Sequence, residues 1–257
     1  MATVSLIVPV YNAEPWIDEC MASIHAQTYK DVELIVIDDE GGSGAAAARN
    51  RGLELADGDY VAFCDADDYL AHDALERLVA AMDGVDIVCG SFRKFGDFEQ
   101  VVSHDTQTLT PRQVAEYVMA NLKAPRTNQM LSGCWAKLYR REFVQEFPLL
   151  TTAEDMAFNY SYLNRCKSVR FLADVVYHNR KHQGSLSTTF DADNKPGLFG
   201  FLEGLRYVKN FLLKHKYELA IDNAIDNSKV YHSLLYFTRI MAQTGETPRD
   251  VLMRLYP

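Results

Sequence analysis

Tyr60-Val61-Ala62-Phe63-Cys64-Asp65-Ala66-Asp67-Asp68 is the stretch on which the fold turns. Residues 60–64 make a short apolar run, fit for a strand buried on both faces, and the run stops abruptly on acids. Working backward, Val32–Asp38 is a second such run, and it too closes on acids, Asp38 and Asp39. Between the two, residues 45–56 read as a helix and Asp57-Gly58-Asp59 as the turn into the next strand. Val4–Val10 is a further apolar run. Asn12 is placed to cap the helix after it, Pro15 fits the first turn, and Trp16, Ile17, Cys20, Met21 and Ile24 fall on one apolar face. Working forward, residues 73–82 read as an amphipathic helix and 86–90 as another strand. Buried strands alternating with helices predict a mostly parallel α/β sheet with helices on both faces and ligands at the strands' carboxyl ends.

The rhythm changes past residue 90. Residues 92–102 read as a hairpin turning at Gly96-Asp97, 111–122 and 154–166 as helices, and 168–178 as a strand. From about Pro196 the chain is largely helical, with polar breaks near Asn227 and Gly245. Soft boundaries near 105 and 190 divide it into 1–105, 106–190 and a C-terminal helical extension, 191–257. A length of 257 residues suits one large α/β domain, alone or with such an extension. The net charge of −9 argues against nucleic acid as a partner. Cys20, Cys64, Cys89, Cys134 and Cys166 are scattered singly and read as reduced core residues. The N-terminus enters an apolar strand without a basic region or cleavage site, and no run reaches the ~20 apolar residues of a membrane span. The chain therefore reads as soluble and cytoplasmic.

The acids at the strand ends carry the chemistry. In an open α/β sheet such ends open onto one crevice, which brings residues 38–39 and 65–68 together. Asp65 and Asp67 have one residue between them, so in extended chain they point the same way. Adjacent carboxylates repel unless a cation or an arginine lies between them. Magnesium and manganese take one or two carboxylates and complete their shell with water and substrate phosphates. This is the pattern of a metal held against a diphosphate. An acidic turn capping the next helix through Asp68 and Asp73 is the other reading of the same residues.

Four segments in order are Ile7-Val8-Pro9-Val10-Tyr11-Asn12, Val36-Ile37-Asp38-Asp39, Ala48-Arg49-Asn50-Arg51-Gly52-Leu53 and Phe63-Cys64-Asp65-Ala66-Asp67-Asp68-Tyr69-Leu70. Together they resemble the large inverting glycosyltransferase family 2, of the GT-A fold. The resemblance covers roughly residues 3–70 and resumes at Trp135-Ala136-Lys137-Leu138-Tyr139 and Glu154-Asp155. It implies transfer of a sugar from a nucleotide diphosphate sugar donor, a UDP-sugar by preference, to a hydroxyl of a saccharide or glycoconjugate acceptor, in surface polysaccharide or glycoconjugate assembly. On that reading 1–105 is the nucleotide-sugar-binding half and 106–190 the acceptor-binding and catalytic-base half. By the same resemblance Pro9, Tyr11 and Asp38 or Asp39 line the base and ribose pocket. Asp38 is the better partner for the base, since a carboxylate accepts the imide N–H of uracil. Arg49 lies beside the nucleotide and braces Asp65, in the donor-binding stretch Asp65-Ala66-Asp67. Asp67 is the direct ligand of Mn2+ or Mg2+, with Asp65 and His178 as further candidates. Asp155, ahead of Glu154, is the general base that takes the acceptor's proton during inversion.

Plainer roles stand beside these. Tyr11 packs on the first helix, Arg49 is a solvated helix charge, the 154–155 acids only favour a helix N-terminus, His178 is a satisfied polar residue, and Trp135 fills a core gap instead of stacking on a sugar. Arg180, Lys181 and His182 form a basic cluster within reach of a pyrophosphate when a loop closes, with Gly184 and Ser185 permitting the motion. A non-catalytic sugar-nucleotide-binding partner subunit is the alternative function, disfavoured by the intact Glu154-Asp155 pair. A sugar nucleotidyltransferase needs a Gly-rich, lysine-bearing loop after the first strand, and Tyr11-Asn12-Ala13-Glu14 is not one. The chain departs from the family between Asp39 and Arg49, where only residues 40–48 stand in place of a turn, a helix and an edge strand; either that helix and strand are lost or residues of a longer loop are omitted. In the C-terminal part, Leu198, Phe201, Leu202, Leu205, Val208, Phe211 and Leu212 form an apolar stripe beside Arg206, Lys209, Lys214 and Lys216. The stripe packs on the domain or on a second copy in a homodimer. Peripheral contact with the inner face of the membrane is the further alternative.

Overall fold

A computed structural model describes residues 2–39, 41–124, 129–182, 195–215, 221–245 and 247–250. Its spine is a nine-stranded sheet. The apolar runs of the N-terminal part become β1 (Val4–Val10), β2 (Val32–Asp38) and β3 (Tyr60–Phe63), with β1 parallel to both neighbours. Past β3 the sheet continues through β8 (Lys137–Arg140), β5 (Ile87–Gly96), β9 (Val169–Lys181) and β4 (Tyr69–Leu70). β8 runs antiparallel to β3 and β5, whereas β5 and β9 are parallel and β4 is antiparallel to β9. β6 (Gln100–Val102) closes the expected hairpin on β5, and β7 (Gln107–Leu109) pairs with β9. The mostly parallel sheet expected from the sequence is present, with β8 threaded between its two parallel parts.

Strand alternation sends side chains to two apolar layers. Leu6 and Val8 of β1 meet Cys20 and Ile24 of α1 (Ile17–His25) and Leu75 and Leu78 of α3 (Ala74–Ala80). Ile7 faces the other way, into a layer shared with Ala46 of α2 (Ala45–Leu55), Val114 and Val118 of α4 (Pro111–Lys123) and Phe158 of α5 (Glu154–Leu163). There Phe63, Phe147 and Phe158 pack, Phe63 edge-on to both and the other two stacked 3.9 Å apart. Each such phenylalanine contributes about 1.5–3 kcal/mol through burial. All five cysteines are buried and unbridged.

α6 (Lys195–Lys214) lies on α5, and α7 (Ile221–Thr244) on α4 and α6. Leu205, Val208, Phe211 and Leu212 are buried in the second layer, with Phe201 and Leu202 packed against it. The C-terminal stripe thus packs on its own domain; the side chain of Leu198 and all of Lys216 lie outside the described residues. Arg206, Lys209 and Lys214 pair outward with Glu203, Asp222 and the Asn164 carbonyl. No described helix is long and apolar enough to cross a membrane. The boundary near 105 falls between β6 and β7, both part of the one sheet. The boundary near 190, Gly184 and Ser185 lie outside the described residues.

Local expectations differ in several places. Asn12 does not cap α1: its backbone is left-handed (φ 50°), and the helix starts after a turn in which Trp16 and Ile17 N–H bond to Ala13 O. Asp73 occupies the N-cap position of α3 without a side-chain cap bond. α4 is the well-capped helix, with Thr110 and Gln113 bonding reciprocally and Pro111 in the first turn. α7 runs straight through Asn227 and stops at Gly245, whose φ of 69° only glycine takes freely.

Candidate active site

The carboxyl end of β3 turns at Asp65, and Asp68 N–H bonds back to the Asp65 carbonyl at 3.0 Å. The turn gathers Asp65, Asp67 and Asp68 so that one carboxylate oxygen from each lies within 4.8 Å of the others. Their roles diverge. Asp68 is 1% exposed and accepts from the Tyr177 hydroxyl (2.8 Å), Asn179 Nδ2 (2.9 Å) and Arg180 N–H (2.6 Å). It ties the turn to β9 and caps no helix. Asp67 keeps a side-chain face toward solvent and meets His182 Nε2 at 3.1 Å. Burial, then the neighbouring Asp65, pushes the Asp67 carboxyl above its ordinary value, the state a cation would relieve. Asp65 and Asp67 are hard oxygen donors on one crowded turn, and that donor set fits manganese or magnesium.

Arg49 sets the centre. It sits on α2, is 4% exposed, and its two terminal nitrogens reach three acids. Nη2 bonds Asp65 at 2.8 Å, while Nη1 bonds Asp155 at 2.9 Å and Glu154 at 3.1 Å. Its guanidinium carbon lies 5.4 Å over the Phe147 ring. Burial works against the Arg49 charge, and Asp155, Asp65 and Glu154 outweigh it. The brace on Asp65 is as expected; the second grip, on the first turn of α5, was not legible in the sequence. Arg49 is no solvated helix charge.

Glu154 and Asp155 open α5 after Ala153, a non-glycine residue held at φ 62°. Burial first, then Asp155, pushes the Glu154 carboxyl up to about 7 against the pull of Arg49. A carboxyl near neutrality beside a second carboxylate is suited to proton transfer.

At the carboxyl ends of β1 and β2, Pro9 is half-buried and Tyr11 is 57% exposed, its ring beside Gly42. Asp38 is exposed. Asp39 is 4% exposed, and its carboxylate accepts from the Ser43 hydroxyl, Ser43 N–H (3.1 Å), Gly44 N–H (2.9 Å) and Arg51 (3.1 Å). The Ser43 hydroxyl is the main cause holding that carboxyl below its ordinary value. Asp39 thus closes the short link into α2, leaving Asp38 as the outward carboxylate. Ala66, between Asp65 and Asp67, is buried.

His178 is not brought to the acids. Tyr177 and Asn179 point to Asp68, so alternation along β9 turns His178 to the other side, where it stacks on Tyr69 at 4.4 Å. His182, just past the strand, is the histidine beside Asp67. The same alternation, read off Tyr177-His178-Asn179, was the available signal. Trp135 is 9% exposed, stacked on Tyr177 (5.0 Å) and edge-on to Phe92 (4.6 Å), so it fills the core.

The family model described as "Glycosyl transferase family 2" matches residues 5–43 and 40–147. Its two pieces meet at the link between β2 and α2, where the sequence is short. The chain is 31% identical over 219 residues to the uncharacterized glycosyltransferase EpsJ of Bacillus subtilis (strain 168), covering 72% of this chain and 62% of EpsJ. It thus spans under two thirds of that relative. Its fold is shared with S. aureus TarS 1-349 in complex with UDP-GlcNAc, at a TM-score of 0.71 and 20% identity over 98% of this chain and 80% of TarS 1-349. The mannosyltransferase PcManGT from Pyrobaculum calidifontis, in complex with GDP-Man and Mn2+, aligns at 0.54 and 20% identity over 98% of this chain and 79% of that one.

Proposed function

This chain belongs to glycosyl transferase family 2, and from that premise we propose that it is an inverting, metal-dependent glycosyltransferase acting on a nucleotide diphosphate sugar. The observation that carries the reading is Arg49, which joins the strand-end acid Asp65 to the Glu154–Asp155 pair at 2.8–3.1 Å. The group that would hold the departing diphosphate and the group that would take the acceptor's proton are thereby fixed to one guanidinium.

Asp67 and Asp65 would hold Mn2+ or Mg2+, with His182 beside them. Such a cation, when bound, neutralises charge on the departing nucleotide diphosphate. Tyr11, Pro9 and Asp38 line the approach for the nucleoside, Asp38 with a carboxylate open to a base N–H. Asp155 accepts the proton of an acceptor hydroxyl as its oxygen attacks the anomeric carbon and the bond from that carbon to the diphosphate breaks on the opposite face. Residues 1–105 would then carry the donor and 106–190 the acceptor and base. A UDP-sugar donor and a saccharide or glycoconjugate acceptor complete the proposal; PcManGT, which carries GDP-Man and Mn2+, and TarS, which carries UDP-GlcNAc, share the fold.

Asp155→Asn tests it. Calorimetry with UDP and Mn2+ should show unchanged binding, while UDP release from UDP-GlcNAc and other UDP-sugars over a panel of saccharide acceptors falls about 10²–10⁴-fold. Turnover equal to wild type would remove Asp155 from the base role.

A further inference from the structure

The start of α1 touches the site through two side chains to which the proposed reaction gives no part. The Trp16 indole stacks on the His182 imidazole, with ring centroids 3.9 Å apart and planes inclined by 36°. His182 Nε2 in turn lies 3.1 Å from Asp67 Oδ2. One turn along, Glu19 pairs with the Arg180 guanidinium. Arg180 Nε donates to the Asp67 carbonyl (2.9 Å) and its backbone N–H to Asp68 (2.6 Å). Helix α1 therefore grips both residues, at and just past the end of β9, that meet the acid turn.

The two grips differ in kind. Glu19 and the Asp67 carbonyl take up the Arg180 guanidinium. Trp16 brings no charge. It offers a flat apolar face, and stacked aromatic pairs are worth about 0.5–1.5 kcal/mol beyond their burial. A ring nitrogen binds a metal more tightly when the ring plane is already fixed, and partners that fix such a plane raise affinity. Resting on the metal reading of Asp65 and Asp67, we propose that Trp16 is a positioning residue that holds the His182 ring with Nε2 turned to Asp67 and to the cation beside it.

Titration of Mn2+ in the presence of UDP, read by calorimetry and by tryptophan emission, tests this. The chain has two tryptophans, Trp16 and Trp135. Trp16→Leu should weaken Mn2+ binding about 10-fold, the low end for loss of a residue supporting a ligand. Trp16→Phe keeps a stacking ring and should stay within about threefold of wild type, which also guards against a leucine variant that fails to fold. In His182→Ala the further change Trp16→Leu should cost nothing more, because Trp16 acts through that ring. Paramagnetic Mn2+ should quench emission in wild type and far less in Trp16→Phe, where only Trp135 emits. Wild-type Mn2+ affinity in Trp16→Leu, or an equal loss with and without His182, overturns the proposal alone. A wild type that binds UDP without any response to Mn2+ overturns it together with the metal reading.

Discussion

Replacing Arg49 with alanine strands three acids at once. The guanidinium is 4% exposed and bonds Asp65, Asp155 and Glu154 at 2.8, 2.9 and 3.1 Å. Removing one partner of a buried ion pair costs about 3–5 kcal/mol, and that deficit is expected near pH 8. It should shrink in acid. Glu154 stands at about 7 against an ordinary 4.5 because burial, then Asp155, opposes its charge while Arg49 favours it. A carboxyl raised in the folded state holds a proton that the unfolded chain has lost. This group's contribution to stability therefore falls as pH rises from 4.5 to about 7. Without Arg49 the folded value climbs further, and the fall extends above 7. Each added unit widens the gap between acid and alkaline stability by about 1.4 kcal/mol. Urea denaturation at about pH 5.5 and about pH 8 reads both limbs. The expected deficit is about 3–5 kcal/mol at the higher pH and smaller by about 1.4 kcal/mol or more at the lower. Equal deficits at both, or a loss under about 1 kcal/mol at the higher pH, would refute the role of Arg49 as the shared counter-charge.

Two further contrasts follow from the same turn and its neighbours. Asp67→Ala should abolish Mn2+-dependent UDP binding in calorimetry and leave the urea midpoint nearly unchanged, since Asp67 holds no buried donor network. Asp68→Ala should do the reverse in kind: it strands the donors of Tyr177, Asn179 and Arg180, so a stability loss of about 3 kcal/mol or more is expected at about 1–3 per unsatisfied group. Swapped phenotypes would reverse the assignment of ligand and strut. At Gly200 a Cβ would meet the Thr152 carbonyl at 2.9 Å and its backbone nitrogen at 3.0 Å, the segment leading into the Glu154–Asp155 turn. Gly200→Ala should therefore lose about 1–2 kcal/mol in urea despite the helix propensity of alanine; a gain of about 1 kcal/mol would show that α6 is free to shift.

The parallel part of the sheet was legible because its signal is local. Val4–Val10 and Val32–Asp38 are unbroken apolar runs, and they fold with those bounds. β8 was not, because Lys137 and Arg140 give it no apolar pattern. Only the fold reveals that Lys137 Nζ is buried and bonded to the Gly133 carbonyl (2.6 Å) and the Trp135 carbonyl (3.3 Å). β4 has two residues, too few for any periodicity. In the site, the acids and Arg49 could be named from the motifs, but the bond from Arg49 to Asp155 spans 106 positions. It depends on how α5 docks, which no window of sequence contains. His182 escaped for a similar reason: it meets Asp67 just past the end of β9, with the Trp16 indole stacked on its ring, a juxtaposition no window of sequence contains.

The short link between β2 and α2 bears on what holds Arg49 in place. Both pieces of the family match include residues 40–43, so the two pieces meet in that link. Asp39 closes the link by accepting Ser43 and Gly44 N–H just before α2. Beyond it α2 is held from elsewhere, by Ala46 in the second layer and by the three bonds of Arg49. The helix that presents Arg49 is thus anchored on the side away from the link. β2 is the edge of the sheet, with Val36, Tyr11 and Asp38 exposed there. The acid turn and the first turn of α5 are tied to each other through Arg49, so the centre proposed to hold the diphosphate and to take the proton does not rest on residues 40–48.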